Sequence, residues 1–287
     1  KTNCVIKRIV LLGTSFAILA GIIYYANPAV FIKNISQANI YFVAAAFLAA
    51  TAAFLLKVLK WQVLVSQPFF TVLHAQAIGN AASSFMPFKS AEPLKPVLLK
   101  MMKGIDVSKT FPSVIYERAL EMLVVAAFSV YALALLSSSD FLFLSIIGFF
   151  VMLLLMAVLF ALFYSRRLGS MLFSLFNKIP IPLKLSESFV STFYSVKIRK
   201  KSVALCFIFT AVSWLLEGLT LYLAAASLGV SISLPAATAF ICLAAILGIV
   251  SFLPGGIGSF EAALSVMIFY TGVPYALSVT LVMLYRF

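Results

Sequence analysis

From Ile9 to its end the chain keeps returning to apolar runs of bilayer-crossing length: Ile9–Ala26, Ile40–Leu56, Ser113–Leu136, Phe141–Tyr164, Ser202–Leu228, Leu234–Leu253 and Ile257–Val273. About 17–25 helical residues cross a hydrocarbon core. A chain that is 64% hydrophobic and only 10% charged, with mean hydropathy +1.14, cannot hide so many runs inside a soluble domain. In lipid each crossing segment must satisfy its own backbone groups, which leaves helices. The predicted class is therefore an all-α polytopic membrane protein, read as a single transmembrane domain over residues 1–287. Its spans lie near 9–26, 40–56, 113–136, 141–164 and 202–228, and a last run, 274–287, stops after 14 residues. The chain opens on Lys1 rather than Met, which reads as a segment of a longer protein. Ile9–Ala26 is followed by no small-residue cleavage site and soluble domain, so it is read as a span and not as a signal peptide.

A net charge of +13 would suit nucleic acid, but the basic residues sit in the loops between apolar runs. Their distribution instead orients the chain. With the N-terminus in the cytoplasm of a cell membrane, Lys33 alone falls outside, Arg118 falls within the membrane, and every other Lys and Arg falls inside. Arg166–Lys201 is expected as an amphipathic cytoplasmic stretch. Cys4, Cys206 and Cys242 are scattered, and His74 is the sole histidine, so neither a disulfide framework nor a metal site is expected.

Two stretches interrupt the apolar pattern in the same way. Residues 84–92 read Ser-Phe-Met-Pro and then Ser-Ala-Glu; residues 251–261 read Ser-Phe-Leu-Pro and then Ser-Phe-Glu, with two more residues between. Pro removes a backbone donor and stops a helix, and Gly255, Gly256 and Gly258 allow left-handed turns and close approach. Ser90 and Ser259 are expected to cap restarting helices, with Glu92 and Glu261 in their first turns. Phe69–Met86 carries His74, Gln76, Asn80, Ser83 and Ser84, polar groups that need protein or a wet cavity around them. Its Lys-rich flanks favour re-entry from the cytoplasm, over residues near 62–103; the segment near 234–273 is approached from outside. Similar broken helices entering from opposite sides form the pattern of an inverted repeat with a substrate site near the midplane. The plain alternatives are a chance match and a glutamate that only complements a helix dipole.

Charges within the spans supply further candidates. Glu117 and Glu121 share a helical face, and Arg118 stands three residues from Glu121. Glu217 falls deep in its span, where an ionisable group suggests function or an internal ion pair. Enzyme chemistry finds little footing: Gly255–Gly258 follows no strand and leads to no Gly-Lys-Ser/Thr, so it is no phosphate-cradling loop. His74 reads as a hydrogen-bonded helix residue. No cofactor is predicted.

On these residues the chain resembles the flippase-like integral membrane family that includes the membrane half of lysylphosphatidylglycerol synthase, the multiple peptide resistance factor. The similarity extends over essentially the whole chain. Leu253–Ala263 matches the family's Pro-Gly-Gly-x-Gly-x-x-Glu; Pro87–Lys95 resembles Pro-x-Arg-x-Gly-Glu-x-x-Arg, with Lys89, Ala91 and Lys95 in place of Arg, Gly and Arg. Glu117–Glu121 resembles Glu-Arg-x-x-Asp, with Glu121 for Asp. Lysine offers a point charge where arginine offers a bidentate fork. The resemblance implies movement of a phosphate-bearing or aminoacylated lipid between leaflets, the partner being a membrane phospholipid or a polyprenyl-phosphate lipid. A lipid-modifying synthase or glycosyltransferase would then act in trans or lie outside this chain, and a homodimer is a further partner to consider. The expected lipid-binding residues are Asn80, Lys89, Glu92, Lys95, Glu117, Arg118, Glu121, Glu217, Gly255, Gly256, Gly258, Ser259 and Glu261. The rival readings are an integral membrane transferase acting on a lipid phosphate and a non-transporting scaffold with closed, fully paired charges.

Overall fold

The computed structural model describes residues 2–84, 86, 91–136, 142–164, 191, 195, 199–251 and 253–286. They form eleven helices and no strand: α1 Thr2–Tyr25, α2 Pro28–Ser36, α3 Ile40–Val65, α4 Phe69–Ser84, α5 Leu94–Lys103, α6 Val107–Leu135, α7 Leu142–Tyr164, α8 Lys200–Ser227, α9 Leu234–Val250, α10 Ser259–Phe269 and α11 Tyr275–Arg286. By length and apolar composition α3, α6 and α8 can each cross a bilayer. The pair Gly13–Tyr25 and Pro28–Ser36, bent by 80°, makes a fourth if taken as one span. The protein is an all-helical membrane protein. The amphipathic stretch expected over Arg166–Lys201 lies almost wholly outside the described residues.

The centre is α9. Residues 236–244 along it are buried without interruption, as are Ile246, Leu247 and Gly248. A helix that is apolar all round belongs in the middle of a bundle, and α9 is packed by α6, α7, α8 and α10. Among the described helices the contact between α3 and α8 is the most extensive. A smaller cluster of Val58, Trp61, Val72, Ala75, Leu99 and Val114 ties α3, α4, α5 and α6 together.

Two helix boundaries depart from the sequence reading. A short helix not expected from the sequence follows the first apolar run: the chain turns sharply at Asn27, whose backbone is left-handed (φ 64°) and whose Oδ1 accepts from Ala29 N at 3.1 Å, with Pro28 starting α2. An Asn cap followed by Pro at the first helical position restarts a helix. The second departure matters more for the site. The expected span ended at Leu56, yet α3 runs on to Val65, because nothing between Leu56 and Ser66 opposes a helix. Lys57 and Lys60, counted from sequence among cytoplasmic loop lysines, therefore stand on α3, and Lys60 is fully buried.

The short helices are paired. At 11 and 12 residues α10 and α11 are each about 16–18 Å long, roughly half a hydrocarbon core. A turn through Thr271–Gly272 sends α11 back, so that Arg286 at its end reaches Glu261 near the start of α10. Likewise α5, of 10 residues, packs against α4. The described parts of the two breaks touch: Gly255 N donates to Met86 O at 3.2 Å. A side chain at Gly255 would place its Cβ 2.4 Å from Ser84 O, so only glycine permits this approach.

Candidate functional site

Three cations and three carboxylates converge from α3, α6 and the first break. Glu117 and Glu121 project from α6 one turn apart. Lys60 reaches them from α3, its Nζ 3.2 Å from Glu117 Oε1 and 3.6 Å from Glu121 Oε1. Lys95, on α5, is fully buried; its Nζ is 2.7 Å from Glu92 Oε2 and 3.3 Å from Glu117 Oε2. The stem of Lys95 crosses α4 at Gly79, where a Cβ would meet Lys95 Cγ at 2.7 Å. Its ammonium also lies 5.6 Å from the centre of the Trp61 ring, within cation–π range. Arg118 spans two of the acids: Nη1 is 2.5 Å from Glu121 Oε2, and Nη2 is 3.0 Å from Glu92 Oε1.

Two further pairs stand beside this cluster. Lys57 Nζ on α3 meets Glu217 Oε1 on α8 at 2.5 Å, and the Tyr285 hydroxyl donates to Glu217 Oε2 at 3.1 Å. Arg286 Nε is 3.0 Å from Glu261 Oε1, and its Nη2 donates to Gly255 O at 3.3 Å. The same guanidinium lies over Phe260, which stacks on Tyr285. Buried carboxylates left alone would cost several kcal/mol. Here Glu92, Glu117, Glu121, Glu217 and Glu261 are matched by Lys57, Lys60, Lys95, Arg118 and Arg286.

These pairs surround a cavity of about 680 Å³ that also reaches the polar face of α4 and the turn at Gly255. A pocket of about 330 Å³ adjoins it, sharing Lys57, Glu121, Glu217, Gly255 and Arg286. The side chains of Lys57, Arg118, Glu217 and Arg286 remain between 21% and 29% exposed, so the charges are not sealed off.

Of the residues singled out from sequence, Asn80, Glu92, Glu117, Arg118, Glu121, Glu217, Gly255 and Glu261 line the larger cavity, and Gly256 lines the smaller. Lys95 stands behind the wall, holding Glu92 and Glu117. Lys89 and Ser90 lie outside the described residues. The expected cap at Ser259 is corrected. Gly258 (φ 91°) is the cap residue, its N–H donating to Glu261 Oε2 at 2.7 Å, while the Ser259 hydroxyl bonds Ser251 and Gly256 O. Glycine has no side chain to cap with, so only the reciprocal half of a capping box forms, with Glu261 as third helical residue accepting from the cap N–H. Glu92 is likewise not in a first turn: α5 begins at Leu94, after Pro93. His74 bonds Phe70 O one turn back, as a helix residue.

Sequence reasoning missed Lys57, Lys60, Tyr285 and Arg286. For the two lysines the signal was present: Lys57, Lys60 and Trp61 continue the helical spacing of Ile40–Leu56 with no Gly or Pro before Pro68.

The family model for the lysylphosphatidylglycerol synthase TM region matches residues 10–287. A UPF0104 membrane protein of Methanothermobacter thermautotrophicus is 25% identical over 93% of this chain and 85% of its own length. A UPF0104 membrane protein of Pyrococcus horikoshii is 24% identical over 97% of this chain and 91% of its own length. The chain belongs to the lysylphosphatidylglycerol synthase transmembrane-region family.

Proposed function

We propose that the protein is a lipid translocase of the cell membrane that moves a phosphate-bearing or aminoacylated lipid between leaflets. The observation that carries this reading is the 680 Å³ cavity, which combines both helix breaks with buried charges of both signs. Among the described residues every carboxylate in its wall has a cationic partner. A headgroup therefore enters by exchange: its phosphate takes Arg118 from Glu92, and an ammonium, where present, takes the released carboxylate. Such a swap leaves no buried charge uncompensated.

In this reading the N-terminus is cytoplasmic, and α4–α5 and α9–α10 act as re-entrant broken helices of an inverted repeat. A phospholipid or polyprenyl-phosphate lipid is the cargo, and a synthase or glycosyltransferase acts in trans. The scaffold reading is favoured by one observation, the complete pairing of these five carboxylates; the partly exposed Lys57, Arg118, Glu217 and Arg286 weigh against it.

The test is lipid exchange in liposomes holding the purified protein, with Gly256→Leu as the probe variant. Gly256 is left-handed (φ 70°), and a Cβ there would lie 3.2 Å from the Gly248 backbone at the cavity wall. Exchange should fall sharply in Gly256→Leu protein that still elutes as a folded species. Exchange at the wild-type rate by that variant, or none by the wild type, would count against translocation.

A further inference from the structure

The charged cavity leaves α2 without a part. The helix has nine residues, none fully buried, and it turns 80° from α1. α1 itself follows the α10–α11 hairpin from its open end to its turn: a Cβ at Gly258 would meet Ile18 Cγ2 at 2.9 Å, and Tyr25 meets Tyr275 edge-on, ring centres 6.0 Å apart. Past α2 the chain does not dive into the bundle. Asn39 N donates to Ser227 O at 2.9 Å, where α3 starts and α8 stops. Both ends of α2 thus sit at one end of the bundle, with the helix lying across it.

Around its axis α2 has three faces. Phe31 and Asn34 pack on α11: Phe31 joins Val279 and Met283 in an apolar cluster, and Asn34 Nδ2 donates to Thr280 Oγ1 at 3.2 Å. Ile32 and Ile35 share the next face and are 66% and 40% exposed. Lys33 and Ser36 are exposed on the third. A helix with one packed face, one bare apolar face and one polar face fits a boundary between hydrocarbon and water. Its surroundings fit the same boundary. Tyr24, Tyr25 and Tyr41, which flank α2 in the chain, are 81%, 84% and 82% exposed, and tyrosine collects where a bilayer meets water. Lys33 is the only Lys or Arg in residues 26–39, 228–233 and 270–274, which connect the helices at this end.

We infer that α2 lies in the interfacial layer of the bilayer, with Ile32 and Ile35 seated against the upper acyl chains and Lys33 and Ser36 among the headgroups. The bilayer already surrounds the spans on either side of α2, and this surface continues it. With a single cation, the contact is made by apolar area and not by anionic headgroups. Phe31 and Asn34 then tie α11 to that layer, so the depth of α11, whose far end carries Arg286 to the cavity, is set from the membrane surface. The inference holds whatever the cavity carries.

Single cysteines at Ile32→Cys and Ser36→Cys, in protein whose Cys4, Cys206 and Cys242 are replaced by alanine, carry a small fluorophore in phosphatidylcholine vesicles. Iodide on both sides of the membrane should quench the Ser36 label and spare the Ile32 label. Nitroxide-bearing lipid should quench the Ile32 label, more strongly from the ester end of the chain than from its middle, since such helices sink about 5–10 Å into the boundary. Adding phosphatidylglycerol should change neither result. Ile35→Cys takes the place of Ile32→Cys if that variant does not fold. Iodide quenching at both positions would put α2 in water, and strong quenching from the chain middle at both would put it inside the membrane. Protection of the Ile32 label from both quenchers would put protein over it, as in contact with a second copy of the chain. Each of these results overturns the interfacial seat. So does lipid contact at Ile32 that appears only with phosphatidylglycerol, which would assign the contact to Lys33.

Discussion

The two helix breaks carry the same skeleton of residues and use their glutamates differently. At the second break Glu261 lies within α10; one oxygen accepts from Gly258 N and the other faces Arg286. At the first, Glu92 stands ahead of α5 and both oxygens go to cations, Arg118 at 3.0 Å and Lys95 at 2.7 Å. Position relative to the cap accounts for the contrast. Glu261 is the third helical residue after the Gly258 cap and reaches back to its N–H, whereas Glu92 precedes Pro93, the cap of α5, and has no such donor to reach. Glu92 meets the cations beside it instead. The register of a carboxylate against the helix start thus decides whether it finishes a helix or joins an ion network.

The largest effect is expected at Lys95. Lys95→Met leaves Glu92 and Glu117 short of a partner in a fully buried place, which typically costs about 3–5 kcal/mol. Unfolding of the purified variant in detergent measures it, and a loss below about 1 kcal/mol would mean that the first break is not held by ions. Next comes Gly255→Ala, expected to cost about 2–3 kcal/mol by combining a left-handed backbone with a clash. Gly104→Ala supplies the reference: its φ of 70° is similar to the 59° of Gly255, but a Cβ there meets nothing within 4 Å, so about 1 kcal/mol is expected. Equal costs for the two would show that the breaks do not press on each other. The smallest effect belongs to Glu261→Gln, which keeps an acceptor for Gly258 N and loses only the charge opposite a partly exposed Arg286, about 1 kcal/mol or less. Glu92→Gln should cost more, and the reverse order would dissolve the contrast between the breaks.

Much of this was legible in the residues themselves. Apolar run length gave the membrane class, and Pro254 with Gly255, Gly256 and Gly258 gave the place where the chain breaks, because a helix cannot pass such a sequence. Glu117, Arg118 and Glu121 were found from one-turn spacing. The partners were less legible. A lysine reads as a loop residue wherever an apolar run is taken to end, and Lys57 and Lys60 fall just past that limit. Tyr285 and Arg286 come to Glu217 and Glu261 only through the return of α11, a packing fact that no local pattern encodes. The bend at Asn27 was visible as an Asn-Pro pair, but α2, at nine residues, is too short to register as a bilayer-crossing run.

The matching of five carboxylates by five cations also bears on how the site meets an electric field. Carrying one elementary charge through 100 mV takes about 2.3 kcal/mol. These ten side chains sum to no net charge, so displacing them together through the field takes no electrical work. On the translocation proposed above, voltage dependence would come from the lipid's own charge and from charges outside these ten side chains.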